Sequence, residues 1–347
     1  MKKNKDILIL GIETSCDETA VSVVKNGRYV LSNIISSQID IHKLYGGVVP
    51  EIASRNHIQN IDIVYDKALH DANISINDID AIAVTYGPGL IGSLLVGLSF
   101  AKGLSISTHI PYIGINHIEG HIASNYIDNL DLEPPFIALV VSGGHTNLVH
   151  VIDYNRFKIY GKTHDDACGE AYDKIARVLG FQYPGGPKLE KAALNGKEGA
   201  FSFPRGNIKD CPYDFTYSGL KSHVINVIHN IKQKNNLDKL DDEMISDISL
   251  EFQNAIIDSL IFRTINLSKE LQIDKVAICG GVSANDAIKL ALNAECKKNN
   301  IKFYFPSKIY STDNAAMIAV AGYYEYKNNN FSKLDLNADA NLEFKSR

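Results

Sequence analysis

The sequence lacks several features that would settle the cellular setting of a protein at once. It has no apolar run of the roughly 18 residues that a membrane-spanning helix needs. Its basic start, residues 1–5, is followed by only a few apolar residues, which is too short for the core of a signal peptide. The five cysteines form no C-x-x-C pair, so neither a disulfide framework nor a cysteine zinc site is expected. We therefore expect a cytoplasmic protein that does not contact a membrane.

A basic excess is also missing. The 347 residues contain 35 Lys and Arg against 40 Asp and Glu, which gives a formal net charge of −5. A protein that holds nucleic acid by itself usually carries a basic excess, because phosphate contacts supply most of the affinity. Any role in binding nucleic acid must therefore depend on a local basic patch or on partner subunits.

Two hairpin patterns are present. Residues 7–12 and 136–141 are short apolar runs rich in β-branched residues, which is typical of buried strands. A polar turn follows each run, residues 13–19 in the first case and 142–146 in the second. A further strand then follows each turn, over residues 20–24 and 147–152, and the first hairpin continues into a strand over residues 29–36.

A second repeated pattern follows each hairpin. It consists of a strand, a glycine-rich loop and a helix, over residues 81–105 and again over residues 275–298. The repetition predicts an α/β fold of two related domains around a central cleft, with the hairpin tips and glycine loops facing that cleft. The predicted domains are residues 1–133 and residues 134–312, and the second carries a helical insertion at about residues 165–250.

The junction and the end of the chain carry further signals. Consecutive prolines at 134 and 135 stop a helix and predict a hinge between the domains. Asp313 is a good N-cap, and a final apolar helix over residues 313–327 is expected to return to the first domain. The last 20 or so residues are rich in Asn and Lys, and we expect them to be loosely ordered.

His117 and His121 are candidate metal ligands. On a helix, a spacing of four places both imidazoles on one face, as two nitrogen ligands of a metal require. The alternative is a pair of surface or capping histidines. The H-E-x-x-H peptidase motif is absent, because Ile118 stands where its glutamate would be. A third ligand must come from elsewhere, and Asp313 is a candidate.

Glycine pairs and acids point to a nucleotide. The glycine loops near residues 87–92, 143–144, 185–186 and 280–281 match no phosphate-loop motif, and each alone could be a plain turn. Together, beside Asp17, Glu18 and Asp173, they indicate a nucleotide-binding cleft. Glu13, Asp17 and Glu18 could bind Mg²⁺ or orient a nucleophile, or could form a solvated turn.

Two further features have open interpretations. Ser15, Cys16 and His145 could indicate nucleophilic catalysis, although Cys16 is more typical of a small packed residue than of an activated thiolate. Residues 221–234 predict an amphipathic helix with one basic face. Such a face is usually solvated surface, but here it is the most plausible place for RNA phosphates.

Ten motifs together resemble one family, the TsaD (Gcp/YgjD) family of tRNA N6-adenosine threonylcarbamoyltransferases. They occur in the family's order from residue 11 to residue 316. The motifs are Gly11-Ile-Glu-Thr-Ser-Cys-Asp-Glu-Thr19, Gly46-Gly-Val-Val-Pro-Glu-Ile-Ala-Ser-Arg55, Gly87-Pro-Gly-Leu90, Asn116-His-Ile-Glu-Gly-His121, Val141-Ser-Gly-Gly-His-Thr146, Gly169-Glu-Ala-Tyr-Asp-Lys174, Tyr183-Pro-Gly-Gly-Pro187, Tyr217-Ser-Gly-Leu-Lys221, Gly280-Gly-Val-Ser-Ala-Asn285 and Ser311-Thr-Asp-Asn-Ala-Ala316.

The resemblance implies a fold and a reaction. The fold would be two ribonuclease-H-like domains of the actin/Hsp70/sugar-kinase (ASKHA) type. The reaction would transfer the threonylcarbamoyl group from threonylcarbamoyl-AMP to N6 of adenosine 37 in tRNAs that read ANN codons, forming t6A and releasing AMP. Bacterial relatives work with TsaB and TsaE, so the implied partners are tRNA and TsaB-like and TsaE-like subunits.

The resemblance also implies site residues. His117, His121 and Asp313 match the family's ligands for one divalent metal per subunit, which the resemblance implies is iron, with zinc as the chemical alternative. Mg²⁺ accompanying a nucleotide is a further option. Glu190 departs from the Asp that many members carry, which puts a ribose contact there in doubt. The matching residues of the substrate site are Val140, Val141, Ser142, Gly143, Gly144, Asp173, Gly186 and Asn285, and the matching catalytic candidates are Asp17 and Glu18.

Three other functions compete with the transferase. A kinase or chaperone-like ATPase would explain the duplicated fold but would leave the two histidines and Asp313 without a role. A metal-dependent peptidase is disfavoured by the missing base glutamate. A scaffold that binds nucleotide without catalysis is the third. The intact histidine pair argues against an inactive paralogue of the TsaB type.

Overall fold

The structure is a computed structural model that describes residues 6–347. The strands of the described chain are β1 (Leu8–Glu13), β2 (Glu18–Lys25), β3 (Tyr29–Ser37), β4 (Ala81–Gly87), β5 (Tyr112–Asn116), β6 (Phe136–Val141), β7 (Thr146–Asp153), β8 (Arg156–Lys162), β9 (Lys275–Cys279) and β10 (Lys302–Tyr304). The helices are α1 (Ile39–Lys43), α2 (Pro50–Ala72), α3 (Ile91–Thr108), α4 (His117–Asp128), α5 (Cys168–Val178), α6 (Gly186–Ala193), α7 (Ser218–Asn235), α8 (Asp242–Leu271), α9 (Asp286–Lys298), α10 (Lys308–Ser311) and α11 (Ala315–Lys327).

Two sheets of five strands share one topology. The first has the order β3-β2-β1-β4-β5, and the second has the order β10-β9-β6-β7-β8. In each sheet the hairpin strands are antiparallel, while the central strand, β1 or β6, pairs in parallel with the first strand after the hairpin, β4 or β9. The matching orders confirm the predicted fold class, a duplicated ribonuclease-H-like α/β fold.

Contacts divide the chain into two compact units. Unit 1 comprises residues 1–134, 152–157 and 306–347, and unit 2 comprises residues 135–151 and 158–305. The core of unit 1 lies between the first sheet and helices α2 and α3, and includes Leu10, Ile12 and Val84. Helix α11 also packs on this sheet, against β1, β2 and β4. The central strands are apolar and buried on both faces, which explains why continuous apolar runs predicted them.

The insertion of unit 2 consists mainly of helices. Helices α5 to α8 lie between β8 and β9, and α8 continues to Leu271, beyond the predicted limit near residue 250. Arg263 on α8 is buried and forms hydrogen bonds with the backbone of the loop before α7. Its guanidinium donates hydrogen bonds to the carbonyl of Gly206 at 2.6 Å and to that of Asp214 at 2.7 Å. This contact orders the 206–214 loop, which has no regular structure of its own.

Helix α11 begins two residues later than predicted. Its N-cap is Asn314, whose side-chain oxygen accepts a hydrogen bond from the Met317 amide at 3.0 Å. Asp313 is therefore not the cap, and the prediction that it starts the helix is wrong. The reason is that Asn and Asp cap helices about equally well, so the local sequence does not choose between them. The shift leaves the Asp313 carboxylate available for other contacts.

The final segment is also more ordered than predicted. Residues 328–347 run over unit 1, where the Ser332 amide donates to the Tyr112 carbonyl at 2.9 Å and the Asp339 amide donates to the Tyr86 carbonyl at 2.8 Å. Leu336 packs on the core. These contacts cover the outer strand, β5, and satisfy backbone groups that would otherwise face solvent. The Asn- and Lys-rich composition concealed this packing.

Helix α3 is apolar along most of its 18 residues. By length and composition it could cross a membrane, which corrects the expectation that no apolar segment reaches that length. This is weak evidence for a membrane, because the core helix of a soluble protein passes the same test. Leu98 and Ala101 belong to the core of unit 1, whereas Ile91 and Ile106 are 50% and 60% exposed. The helix thus has one packed side and one uncovered apolar side.

Gly11 lies so close to α11 that a side chain at this position should reduce the stability of the protein. A Cβ on this residue of β1 would lie 2.2 Å from the Ala315 carbonyl oxygen of α11. Overpacking of this kind typically costs about 1–3 kcal/mol, so Gly11→Ala should lower the melting temperature by several degrees. The matched control is Gly103→Ala on α3, where a Cβ meets nothing within 4 Å. Equal melting temperatures for the two variants, measured by calorimetry, would contradict the close packing of β1 against α11.

Candidate functional site

The two histidines lie side by side at the start of α4. Asn116 caps this helix, because its side-chain oxygen accepts a hydrogen bond from the Ile118 amide at 2.9 Å. The ring centroids of His117 and His121 are 4.6 Å apart, as expected for a spacing of four on a helix. Only 8% of His117 and none of His121 is exposed. The alternative of a surface pair of histidines is therefore wrong.

Asp313 completes a three-residue cluster with these histidines. Its Oδ1 atom lies 3.4 Å from Nε2 of His117 and 3.3 Å from Nε2 of His121. One ligand atom from each residue lies within 4.8 Å of the others. The structure thus brings Asp313 next to a histidine pair that lies almost 200 residues earlier in the sequence.

The chemistry of this cluster fits a divalent metal. His121 is fully buried; its Nδ1 has no hydrogen-bond partner within residues 6–347, and its Nε2 lies 3.3 Å from Oδ1 of Asp313 without good hydrogen-bond geometry. Burying poorly paired polar atoms costs free energy, and a metal bond to Nε2 would remove part of that cost. Two imidazoles and a carboxylate suit iron or zinc.

Electrostatics keep Asp313 and His121 in the protonation states that a metal requires. Burial alone would raise the pKa of Asp313, but His117 and His121 together hold the pKa of that carboxyl well below its usual range. Burial lowers the pKa of His121, which favours the neutral imidazole. Burial opposes the charged form of His117 as well, yet the charges of Asp313 and Glu13 raise its pKa well above the ordinary value. A metal would have to displace that proton on binding.

Glu13 holds His117 from the opposite side of the ring. Its Oε2 atom lies 3.1 Å from Nδ1 of His117 and accepts a 2.6 Å hydrogen bond from the Thr85 hydroxyl. The Ser15 amide donates to the other carboxylate oxygen at 2.5 Å. This arrangement points Nε2 of His117 at Asp313, as carboxylates behind metal-bound histidines commonly do. The sequence analysis identified Glu13 as a candidate magnesium ligand or orienting group, but it did not connect Glu13 with His117. The sequence feature that could have indicated a functional role is the position of an acid at the end of a buried strand.

Replacing Glu13 should weaken metal binding without removing a ligand. Glu13→Gln keeps the size of the side chain but loses the charge that orients His117. We expect a 10- to 100-fold weaker affinity for the metal, the usual effect of losing such a partner. Competition with a chromogenic chelator measures this affinity, and Glu51→Gln on the exposed surface of α2 serves as the control. An affinity equal to that of the wild type would show that Glu13 does not position the metal ligand.

The loop of the first hairpin is buried. Only 7% of Asp17 is exposed, and its carbonyl accepts a hydrogen bond from the Gln38 amide at 3.0 Å. His57 on α2 is hydrogen-bonded to the Cys16 carbonyl at 2.9 Å and to the Thr19 hydroxyl at 2.8 Å. The alternative of a solvated turn is therefore wrong for Glu13 and Asp17.

Two side chains of this loop have strongly raised pKa values. Burial, together with the charges of Asp313 and Asp17, raises the pKa of Glu18 to about 10, which favours the protonated carboxyl. Burial also raises the pKa of the Cys16 thiol far above its usual value. Cys16 is thus a packed thiol, in agreement with the interpretation from sequence.

The glycine loop after β4 supports the same region. The Leu90 amide donates to the Ser15 carbonyl at 2.8 Å, and a Cβ on Gly89 would lie 2.6 Å from that oxygen. This loop therefore packs against the hairpin loop through its glycine. This packing alone requires a glycine at position 89, so the glycine is not evidence for phosphate binding by this loop.

In unit 2, several of the predicted substrate residues lie around the ends of two parallel strands. Val140 of β6 pairs with Cys279 of β9, so the loops after both strands emerge at the same edge of the sheet. Ligands of open α/β sheets bind at this edge. Val140 and Val141 are fully buried, whereas Gly143 and Gly144 are exposed, with open space where a side chain would be.

The loop after β6 is a tight turn fixed at both ends. The Ser142 amide donates to the His145 carbonyl at 2.9 Å, and the His145 amide donates back to the Ser142 hydroxyl at 3.1 Å. At the start of α5, the Gly169 amide donates to the Ser142 carbonyl at 3.1 Å. His145 thus contributes its backbone to the turn. Gly143 and Gly144 are the exposed residues of this turn, and their amides are candidates for binding a ligand.

The other predicted substrate residues have structural partners. Oδ1 of Asp173 accepts hydrogen bonds from the Gly185 and Gly186 amides at 2.8 and 3.1 Å. Asn285 caps α9 by accepting from the Ile288 amide at 2.9 Å. Oε1 of Glu190 accepts a 2.7 Å hydrogen bond from the Asp286 amide, so this departure from the family pattern holds the start of α9.

Comparison with protein families gives a match over most of the chain. The model of the family described as "TsaD: tRNA N6-adenosine threonylcarbamoyltransferase" matches residues 29–320. A tRNA N6-adenosine threonylcarbamoyltransferase of Clostridium perfringens strain SM101 is 54% identical over 99% of this chain and 100% of its own length. The protein of that name from Clostridioides difficile strain 630 is 51% identical over 97% of this chain and 98% of its own length.

Comparison with solved structures shows the fold. HypF from T. kodakarensis superimposes with a TM-score of 0.65 at 14% identity, over 94% of this chain and 49% of that protein. The activator of 2-hydroxyisocaproyl-CoA dehydratase from Clostridium difficile, solved with bound ADPNP, gives a TM-score of 0.50 at 16% identity over 93% of this chain and 97% of its own. At such identities the likeness concerns architecture only.

Proposed function

We infer that this chain, which belongs to the family of tRNA N6-adenosine threonylcarbamoyltransferases, takes the threonylcarbamoyl group from threonylcarbamoyl-AMP. The acceptor is N6 of adenosine 37 in tRNAs that read ANN codons, and the products are t6A and AMP. The observation that carries the proposal is the buried cluster of His117, His121 and Asp313 in a chain more than 50% identical to such transferases. A nucleotide-binding ATPase or scaffold would leave this cluster without a role.

We propose a role in holding the donor for residues of each unit, taken separately. His117, His121 and Asp313 would hold one divalent metal, iron with zinc as the alternative, which when bound supplies a Lewis acid for the threonylcarbamoyl group. The amides of Gly143 and Gly144 would bind the phosphate of the adenylate and stabilise the charge that grows on departing AMP. Asp173, Gly186 and Asn285 would contact the adenylate. Mg²⁺ accompanying the nucleotide is a further proposal.

The reaction is an acyl transfer. The N6 nitrogen of adenosine forms a bond to the carbonyl carbon of the donor, the bond from that carbon to the phosphate oxygen breaks, and AMP leaves with the electron pair. An amine attached to a purine ring is a poor nucleophile, so positioning it against the carbonyl should supply much of the rate. We propose that Asp17 takes the proton that N6 loses and that Glu18, whose pKa is raised by burial, acts beside it.

We further propose a cytoplasmic complex with TsaB-like and TsaE-like subunits. Helices α2 and α3 of unit 1 form an apolar groove, and Ile58 and Leu95 on its walls are 64% and 41% exposed. Ile91 and Ile106 extend the uncovered apolar surface along α3. An exposed apolar surface of this kind marks a site of protein association. We assign it to the TsaB-like subunit.

A reconstitution with purified components tests the identity of the donor. The chain, its two partner proteins and unmodified tRNA are mixed with threonylcarbamoyl-AMP, and t6A and AMP are quantified by mass spectrometry. We expect one AMP for each t6A, and no t6A when ATP and threonine replace the adenylate in the absence of a synthase. ATP hydrolysis without t6A would favour the ATPase, and cleavage of an unfolded protein substrate would favour the peptidase.

A further inference from the structure

Helix α7 carries positive charge and no negative charge. There is no Asp or Glu from Phe215 to Leu237, although the whole chain contains 40 such residues. Helix α7 itself contains three lysines and two histidines, together with several amide side chains. The longer stretch without Asp or Glu, residues 81–118, contains a single lysine, so α7 combines the absence of acids with several cations in a protein with a net charge of −5.

The packing of α7 fixes which of these groups face outwards. Leu220, Val224 and Ile228 are buried in the core of unit 2 and define the inner side of the helix. His223, His229 and Lys234 are exposed, and Lys232 is half-buried. The exposed amides between them are those of Asn226, Asn230 and Gln233. At 1.5 Å rise per residue, the polar face from His223 to Lys234 is about 16 Å long.

The cations of this face are not neutralised within the protein. Elsewhere in unit 2, Lys174, Lys289 and Lys298 lie within 3.0 Å of carboxylate oxygens. Lys221 at the start of α7 also pairs with Asp166. Within residues 6–347, no ion pair involves Lys232 or Lys234. Their positive charge is therefore available to an external anion.

We propose that the outer face of α7, defined by His223, His229, Lys232 and Lys234 with the amides between them, binds the phosphate backbone of the tRNA substrate. The proposal rests on the function proposed above. Lysine and amide side chains are the usual partners of nucleic-acid phosphates, and the absence of carboxylates removes the repulsion that other helices of this chain would exert. An anionic membrane is a poorer match, because the apolar side of α7 is packed in the core of unit 2 and cannot insert into lipid.

The test reverses two charges on α7 and two elsewhere. The variant Lys232→Glu/Lys234→Glu changes the proposed face, and Lys269→Glu/Lys297→Glu makes the same change of net charge on the exposed surfaces of α8 and α9. Each protein is assembled with its partner subunits, and the dissociation constant for unmodified tRNA is measured by fluorescence anisotropy at several salt concentrations. For the α7 variant we expect roughly tenfold weaker tRNA binding. The slope of the logarithm of the binding constant against the logarithm of the salt concentration should decrease in magnitude by about one to two, which corresponds to the loss of one to two phosphate contacts.

Steady-state kinetics provide the second readout. The α7 variant should raise the KM for tRNA while leaving the KM for threonylcarbamoyl-AMP unchanged, and the control pair should stay within about twofold of the wild type. Unchanged tRNA affinity in the α7 variant, or an equal loss in the control, would overturn the proposal. So would binding of the wild type to phosphatidylserine vesicles that the α7 variant loses while keeping its tRNA affinity. A wild type that binds tRNA through α7 but forms no t6A would instead contradict the proposed function.

Discussion

Substituting both histidines, as His117→Ala/His121→Ala, should abolish metal binding and reduce threonylcarbamoyl transfer by at least about 100-fold. The two imidazoles are the nitrogen donors of the cluster, and Asp313 alone cannot hold a divalent ion tightly. The proposed metal would supply a Lewis acid, which typically contributes several kcal/mol to the stabilisation of charge in a transition state, and the variant would lose that contribution. Metal content is measured by plasma mass spectrometry and transfer by the yield of t6A.

A second variant separates metal loss from misfolding. Both histidines are buried, so their truncation leaves cavities that can destabilise the start of α4. Asp313→Asn keeps the volume of the side chain and removes the charge that faces both Nε2 atoms. We expect it to fold and to lose metal, while Asp62→Asn on the surface of α2 keeps its metal. A folded Asp313→Asn protein with full metal content and full turnover would contradict the proposed centre.

Gly280→Ala should destabilise unit 2 and weaken donor binding at the same time. Gly280 has φ of +90°, a conformation that residues with a side chain rarely adopt. A Cβ there would also lie 2.4 Å from the Val141 carbonyl oxygen, at the end of β6. Backbone strain and the clash together should cost about 2–4 kcal/mol and displace the turn that begins at Ser142. Because that turn is proposed to bind the adenylate, affinity for the donor should fall at the same time.

The neighbouring glycine supplies the matched control. Gly281 has ordinary φ, and a Cβ at this position meets nothing within 4 Å. Gly281→Ala should therefore leave the melting temperature within about one degree of the wild type, whereas Gly280→Ala should lower it by several degrees. Calorimetry measures both. Equal stability of the two variants would mean that the loop after β9 does not pack closely against the end of β6.

Local sequence predicted those elements whose pattern is set by burial. The strand over residues 136–141 and the helix over residues 286–298 have the predicted bounds, because a strand buried on both faces is continuously apolar and a capped helix has a clear first residue. The pairing of His117 with His121 was also predictable, since a spacing of four fixes their relation on any helix.

Contacts between distant segments were not predictable from local sequence. Glu13 meets His117 only because β1 and α4 are brought together across 104 residues, so its role as a positioning group needed the structure. The order of residues 328–347 depends on the exposed edge of β5, which their own composition does not reveal. Asn314 caps α11 and Asp313 lies beside the histidines, a division of roles that local preference left open. In each case, packing set the outcome where local preference was neutral or misleading.

We propose that this chain forms t6A and that the cluster of His117, His121 and Asp313 is needed for that reaction. The most direct measurement is mass spectrometry of tRNA nucleosides from cells depleted of the protein and then rescued. We expect t6A to disappear on depletion, to return with the wild type and to stay absent with His117→Ala/His121→Ala or Asp313→Asn. Normal levels of t6A after depletion, or full rescue by the folded Asp313→Asn protein, would contradict the account.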